Sequence, residues 1–302
     1  MSMPSPETYA EIAPMRRDEP LSQWTTLRIG GNAEMFFEPH RPEKLADLLT
    51  ELEKDGVPWR LLGAGANTLP PDGGVAGAVI HTGNMRRIFR DGDGLRAWAG
   101  ATLPSLVHTA HGVGLAGFEG LVGVPGHVGG AIAMNAGSAD WGIWDEVYNV
   151  VLWMPGEREG LKMEEFTPEQ IGPKYRDGNL NGAVVLEVHF HLEPQPPKVI
   201  KERQDDILRR KNKSQPVSIS SAGCAFKNPP GDSAGRLVDA AGMKGFQVGG
   251  AQISELHANF VLNRGGATAE DVRSLIAQVE ERVEADSGIR LERELVVWPE
   301  PL

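Results

Sequence analysis

The chain of 302 residues holds one cysteine, Cys224. That excludes an intramolecular disulfide framework and fits a reducing compartment. Positive charge is also scarce, with 30 Lys and Arg against 41 Asp and Glu for a net charge of -11. Such a balance argues against nucleic acid as a partner, while a local basic pocket for an anionic substrate is still allowed. No run of 18 apolar residues occurs, and the N-terminus opens on prolines and acids instead of a basic segment followed by an apolar one. Neither a membrane span nor a secretory leader is therefore expected, and the chain reads as a cytoplasmic globular protein. Gly-Lys-Ser and Gly-Lys-Thr are absent, which excludes a Walker loop. Hydrolase chemistry is not expected.

Glycine, by contrast, is abundant and clustered. The stretch from Gly120 to Gly137 carries almost no charge, which makes it a poor core and a good backbone cradle. Glycine lets main-chain N–H groups approach a ligand closely, and successive exposed N–H groups form an anion-binding nest. A second loop, Leu62 to Thr68, follows the apolar stretch beginning at Trp59. Each loop alone is compatible with a plain turn. Together they suggest a diphosphate held from two sides. In the earlier loop Thr68 stands where the third glycine of a dinucleotide fingerprint belongs, so a Rossmann turn is not indicated.

Residues before about Pro20 read as a loose arm. Leu45, Leu48, Leu49 and Leu52 share one face at helical spacing, with Gly56 as a stop. Strands are expected at Trp59 to Leu62, Ala78 to His81, Leu95 to Ala99, Tyr148 to Met154 and Ala183 to Leu192. In the last of these Val185, Glu187, His189 and His191 face one way, a pattern of one wet face. The prolines at 194, 196 and 197 mark a connector and the expected domain boundary. Beyond it, helices are expected at Lys198 to Lys213, at Ser233 to Ala241, and from Thr268 to Gly288, the last with a capping-box-like start at Thr268 and Asp271. A final strand is expected from Leu291 to Trp298, with Glu294 in its interior.

Three residues stand out chemically. Cys224 directly follows glycine and precedes Lys227 and Asn228; it reads as a small buried residue or as a reactive thiol. Arg176 reads as a loop charge or a substrate clamp. Glu294 is either the solvent face of an edge strand or a buried carboxyl that needs a partner or a raised pKa. His189 and His191 lie on one strand face without a third ligand nearby in sequence, so no metal is assigned.

Seven segments occur in a telling order: Thr26 to Gly31, Leu62 to Thr68, Gly120 to Gly137, Tyr175-Arg176-Asp177, Gly223 to Pro229, Ala234 to Asn263 and Leu291 to Glu294. From about Ser22 onward the chain resembles the UDP-N-acetylenolpyruvoylglucosamine reductase family. The resemblance implies an α+β fold, with a two-lobed FAD-binding part of the vanillyl-alcohol-oxidase type and a separate α+β substrate domain. The implied division is an arm at 1–20, the FAD part at 21–194 (lobes 21–83 and 84–194), the substrate domain at 195–290, and a strand at 291–302 that returns to the flavin part.

By the same resemblance, non-covalent FAD would be held by Arg28, Ile29, Gly63, Ala64, Gly65, Ala66, Asn67, Thr68, Gly123, Val124, Pro125, Gly126, His127, Val128 and Gly129. NADPH would be the reductant and UDP-N-acetylglucosamine enolpyruvate the substrate. Arg176 and Glu294 would stabilise charge developing on the substrate carboxylate. For Glu294 this requires a carboxyl that keeps its proton, which apolar surroundings favour. Cys224 would supply the proton. Tyr175, Lys227, Asn228 and Arg236 are the candidates for contacts to the nucleotide sugar.

Three departures stand out against the family. Cys224 occupies a position where the family more often has serine. His127 stands where a small hydroxyl residue is expected, and Ala66 replaces an expected serine. The short interval from Arg176 to Cys224, and the absence of any tyrosine after Tyr175, resemble the subgroup without a substrate-capping tyrosine loop. The alternatives left open are another flavin oxidase or dehydrogenase, and a non-catalytic nucleotide-sugar binding protein.

Overall fold

The computed structural model describes residues 6–138, 140–156, 163–216 and 219–299. Residues 1–5 of the expected arm and 300–302 of the expected terminal strand lie outside the described residues. The first part of the chain forms α1 (Pro6–Ala10), β1 (Met15–Pro20), β2 (Asn32–Phe37), α2 (Pro42–Lys54), β3 (Trp59–Leu62), β4 (Thr68–Leu69) and β5 (Val75–His81). There follow β6 (Ile88–Asp91), β7 (Gly94–Trp98), α3 (Leu103–Gly112), β8 (Leu115–Ala116), α4 (Val128–Ala133), β9 (Val147–Trp153), β10 (Glu164–Phe166) and α5 (Pro168–Ile171). The remainder comprises β11 (Val184–His191), β12 (Glu193–Pro194), α6 (Pro197–Ser214), β13 (Ser221–Cys224), α7 (Ala234–Ala240), β14 (Gln247–Val248), β15 (Ala251–Ile253), β16 (Phe260–Asn263), α8 (Ala269–Ser287) and β17 (Val296–Val297).

The chain divides into two compact units. The first is Met1–Arg17, Met35–Ala64 and Gly77–Arg209; the second is Asp18–Glu34, Gly65–Ala76 and Arg210–Leu302. Residues 18–20 of the expected arm, and 21–34 and 65–76 of the expected flavin part, thus group with the C-terminal segment. The reason is visible in the pairing: β17 lies parallel to β4, Val296 opposite Thr68 and Val297 opposite Leu69.

In the first unit α2 buries Leu45, Leu48, Leu49 and Leu52 completely, because residues three and four apart fall on one helical face. Pro42 sits in its first turn, where the missing N–H costs nothing. A five-stranded sheet in the order β10-β9-β11-β7-β6 carries much of this core. Along β11, Leu186, Val188 and Phe190 are buried while Glu187 and His189 are not. Val185 is buried as well, against the expected alternation, since the ladder to β9 shifts register between Val185 and Glu187. A bulge of this kind turns a side chain to the other face.

Three expectations need correction. The supposed loose arm contains α1 and β1, and Tyr9 is 1% exposed with its hydroxyl donating to Asp55 Oδ2 at 2.8 Å. The proline connector is not free of structure, for β12 pairs with β8, Glu193 opposite Ala116 and Pro194 opposite Leu115. Proline is tolerated there because this pair is a short edge. The terminal strand is regular only at β17. Glu294 and Leu295 both donate their N–H to the Ala225 carbonyl, at 2.8 and 3.2 Å, and a shared acceptor breaks the one-to-one ladder.

The second unit packs α7 and α8 with an antiparallel sheet in the order β13-β16-β15-β14. Helix α8 has its Thr268 and Asp271 capping box and ends on left-handed Gly288, as the sequence suggests. Its first turn has a further partner, because Asp72 accepts N–H bonds from Ala269 at 2.8 Å and Glu270 at 3.1 Å. A carboxylate at that end also meets the positive pole of the helix. Asp72→Ala is expected to cost about 1 kcal/mol, lowering a thermal midpoint by roughly 2–4 °C; an unchanged unfolding curve would remove the cap from the stability of this unit.

Candidate active site

The first glycine loop runs out of β3, and the division between the two units falls within it, after Ala64. Gly65 has φ +61, and a Cβ there would lie 2.1 Å from the Trp24 carbonyl oxygen, so only glycine fits. Its own carbonyl accepts from Thr26, by N–H at 3.1 Å and by Oγ1 at 3.2 Å. The adjoining turn is fixed by Thr25, whose Oγ1 donates to the Ile29 carbonyl at 2.9 Å. Arg28, with φ 59, stands exposed at the crest, while Ile29 is buried beneath it.

The second loop lies in the first unit. Gly123 and Gly126 have φ +74 and +152, conformations that help backbone N–H groups converge. His127 then precedes α4 in extended backbone, and Val128 and Gly129 donate to the carbonyls of Ala101 and Ala99 at 2.9 and 2.8 Å. A Cβ on Gly129 would press on Ala99 Cβ at 3.0 Å. The His127 ring is buried, with Nδ1 3.3 Å from Thr82 Oγ1. Burial first, and then the nearby His81, holds its pKa down to about 4.

Helix α4 links this loop to Arg176. Past its end, the carbonyls of Asn135 and Gly137 accept from the Arg176 guanidinium at 3.3 and 2.7 Å. The Asn135 amide donates to the Lys174 carbonyl at 2.8 Å, and Gly178 N–H to the Ala133 carbonyl at 2.9 Å. The turn Lys174 to Asp177 is thereby pinned to the helix end, with Arg176 at φ 54 and its guanidinium 5.0 Å from the centroid of the exposed Tyr175 ring. The Gly120 to Gly137 stretch and Arg176 are one local structure.

In the second unit, Cys224 ends β13, opposite Phe260 of β16 and after a register shift. The side chain of buried Asn259 then takes over from the ladder, accepting from Phe226 N–H at 2.9 Å and donating to the Phe226 carbonyl at 2.8 Å. Glu294 N–H bonds to Ala225, the residue after Cys224, and the Asn67 amide donates to the Glu294 carbonyl at 2.9 Å. The first glycine loop, the Cys224 segment and the Glu294 segment therefore meet by main-chain pairing. Arg176 belongs to the other unit.

These loops suit a dinucleotide diphosphate. Neither Gly63 to Thr68 nor Gly123 to Gly129 contains a carboxylate, and glycine leaves no side chain to block a ligand's approach to the main chain.

Residues 33–155 match the FAD binding domain family, and residues 215–298 match the C-terminal domain of UDP-N-acetylenolpyruvoylglucosamine reductase. The enzyme of that name from Moorella thermoacetica is 43% identical over 287 residues, covering 94% of this chain and 93% of the relative. The one from Geobacter sulfurreducens is 40% identical, covering 93% of each. The chain belongs to the UDP-N-acetylenolpyruvoylglucosamine reductase family. The solved reductase from Thermus caldophilus superposes with a TM-score of 0.79 at 38% identity, over 95% of this chain and 99% of that one. Cholesterol oxidase from Brevibacterium sterolicum shares the fold alone, with a TM-score of 0.50 at 15% identity over 64% of this chain and 40% of its own. As a member of the reductase family the chain is an FAD-dependent oxidoreductase of α+β fold, its flavin part of the vanillyl-alcohol-oxidase type.

Of the candidate nucleotide-sugar residues, Tyr175 lies beside Arg176 in the first unit, and the other three lie near the start of α7 or the terminal segment. Lys227 Nζ pairs with Glu292, and its side chain is 19% exposed. Asn228 Oδ1 accepts from Ala234 N–H at 3.0 Å. Arg236, 60% exposed, forms a two-pronged pair with Asp232, which draws the Asp232 carboxyl down to about 2. No group of three or more His, Cys, Asp or Glu among the described residues can hold a metal ion, and His189 bonds Glu187 at 2.9 Å. No described helix is long and apolar enough to cross a membrane.

Sequence reasoning missed Thr82, Asn135 and Asn259; the signal for Asn259 is an amide heading the apolar run Phe260-Val261-Leu262. It also missed two short patterns. Gly231-Asp232-Ser233-Ala234-Gly235 has the spacing of a serine nucleophile elbow, yet the Ser233 hydroxyl caps α7 by accepting from Arg236 N–H. Gly112 to Gly117 has the dinucleotide glycine spacing but follows α3 instead of a strand.

His127 carries a pH signature. Between its ordinary value of 6.5 and about 4, the unfolded chain binds a proton that the native ring refuses. Stability is therefore full above pH 6.5 and falls with pH through that window. By pH 5 the loss is about 2 kcal/mol, and His127→Leu is expected to remove it. Urea midpoints of the apoprotein at pH 7.5 and 5 test this; an equal acid loss in the variant would contradict it. His81, which burial also lowers, leaves a residual slope.

Proposed function

We propose that this chain reduces UDP-N-acetylglucosamine enolpyruvate to UDP-N-acetylmuramate with NADPH, in the synthesis of peptidoglycan precursors in the cytoplasm. The observation that carries the residue assignment is the pairing of Glu294 with Ala225, which sets the carboxyl-bearing residue beside the segment of Cys224. When bound, FAD would supply the hydride chemistry, taking hydride from NADPH for delivery to the terminal carbon of the enolpyruvyl group. The two glycine loops, with Arg28 and Ile29, are the residues that would hold it.

Arg176 stabilises the charge that develops on the substrate carboxylate. Two main-chain carbonyls already fix its guanidinium, so little reorganisation is needed when that charge appears. Glu294 in its acid form donates to the same carboxylate. The Cys224 thiol delivers a proton to the carbon next to the one that receives hydride. A thiol of ordinary pKa near 8.5 is mostly protonated at neutral pH and is a stronger acid than serine, so the donor role survives the replacement. Oxidation is the cost of that choice.

Among the nucleotide-sugar contacts we favour Lys227 over Arg236. Lys227 is enclosed and its partner Glu292 is exposed, whereas Arg236 must first leave Asp232, which grips it with both carboxylate oxygens. With no tyrosine after Tyr175, the substrate is covered by other means.

Anaerobic flavin spectra separate the half-reactions. NADPH is expected to bleach the wild-type flavin and the enolpyruvyl sugar to restore it. Glu294→Ala and Cys224→Ala are each expected to bleach at near the wild-type rate but to recover 10²–10³-fold more slowly, on the order of the loss of one transition-state donor. A wild-type protein that bleaches without recovering contradicts the substrate assignment, and a variant that fails to bleach with flavin bound moves its residue to the other half-reaction. Cys224→Ser is expected to turn over with a pH profile shifted toward that of the weaker acid.

A further inference from the structure

Thr82 follows β5 and touches both glycine loops through different atoms. Its N–H donates to the Leu62 carbonyl at 3.1 Å, at the last residue before Gly63. Its hydroxyl is 3.3 Å from His127 Nδ1, in the second loop. The imidazole in turn lies against the first loop, since a Cβ placed on Gly63 would meet His127 Cβ and Nδ1 at 3.7 and 3.8 Å. All of these residues belong to the first unit.

Thr82 has little freedom to move. A Cβ on Gly100 would overlap the Thr82 carbonyl oxygen at 1.8 Å, and that carbonyl accepts from Met85 N–H at 2.9 Å. The next residue, Gly83, passes so close over His81 that a Cβ would meet the ring at 2.4 Å. His81 is itself held, donating from Nδ1 to Glu38 at 3.0 Å, and Glu38 pairs with Arg16 at 2.8 Å. The His81 and His127 ring centroids are 5.8 Å apart. A rigid post thus stands behind the contact between hydroxyl and imidazole.

We propose that Thr82 and His127 form a clamp that sets the spacing of the two glycine loops, and through it the affinity for FAD. They are positioning residues, acting through the loop backbones. The neutral imidazole suits the part: it reaches from one loop to the other where the shorter hydroxyl residue expected at 127 would not, and it brings no buried charge that needs a partner. The proposal rests on the reading that these loops hold the FAD diphosphate.

FAD dissociation constants, measured by quenching of flavin fluorescence on titration with apoprotein, test the clamp without reference to turnover. Thr82→Val keeps the N–H bond to Leu62 and loses only the hydroxyl. It and His127→Leu are each expected to weaken FAD binding about tenfold, the order of one lost hydrogen bond. The double variant is expected to be no weaker than either single one, since both remove the same contact. Thr82→Ser, which retains the hydroxyl, is expected to restore wild-type affinity. Dissociation constants within twofold of wild type, or additive losses in the double variant, overturn the clamp. Gly126→Ala separates the two levels of the argument. If it too leaves FAD affinity unchanged, the loop assignment fails; if it weakens binding while Thr82→Val does not, only the clamp fails. Far-UV circular dichroism of each apoprotein identifies a variant that is simply unfolded, in which case Thr82→Ala takes its place.

Discussion

The second unit depends on how the main chain of Glu294 is shared. Its N–H goes to Ala225 and its carbonyl to the Asn67 amide, while Val296 N–H returns to the Asn67 carbonyl at 3.1 Å. The bond between Asn67 and Glu294 joins residues 227 positions apart in sequence. None of these bonds uses the Glu294 carboxyl or the Cys224 thiol. These main-chain bonds are therefore independent of the two side chains to which we assign chemistry, and a cysteine can replace a hydroxyl without altering them.

Arg176 is fixed by a different economy within the first unit. A guanidinium carries five donors and no acceptor, so partial burial requires acceptors arranged around it. The chain leaving α4 supplies them through the carbonyls of Asn135 and Gly137, which lie past the helix end. The negative pole of the helix also favours a cation there. The same six-residue helix thus begins at the flavin loop and ends at the arginine that meets the substrate carboxylate in our reading, which couples two functional elements through one short rigid piece.

Elements whose partners lie nearby in sequence were legible. The buried leucine face of α2, the capping box of α8 and its terminal Gly288 each follow from residues within one or two turns. The glycine loops stood out because their composition is unusual for core or surface, whereas Arg176 was singled out only through the family resemblance. What escaped depends on distant partners. Tyr9 is buried because Asp55 and the first core receive it, β12 forms because β8 offers an edge, and residues 291–295 leave the strand pattern because Ala225 takes two donors. Thr82 and Asn259 look ordinary in their own segments; their meaning lies 45 and 33 positions away.

The electrostatic design of the two glycine loops follows from what they leave out. A diphosphate could be met by lysines, but a buried ammonium must be desolvated first and needs a partner whenever the ligand is away. In the residues assigned to the cofactor, Arg28 is the sole fixed charge, and it stands exposed where water screens it. His127 sits inside the cradle but is held neutral by burial. In our reading the attraction falls to backbone N–H groups other than those of Val124, Val128 and Gly129, which bond within the protein; such groups are partial charges already fixed in place by the fold. Such a site stays stable when empty and tolerates a chain of net charge -11, because its field is local. It also makes the positions of the loops, set by residues like Thr82, matter more than the identity of the side chains that line them.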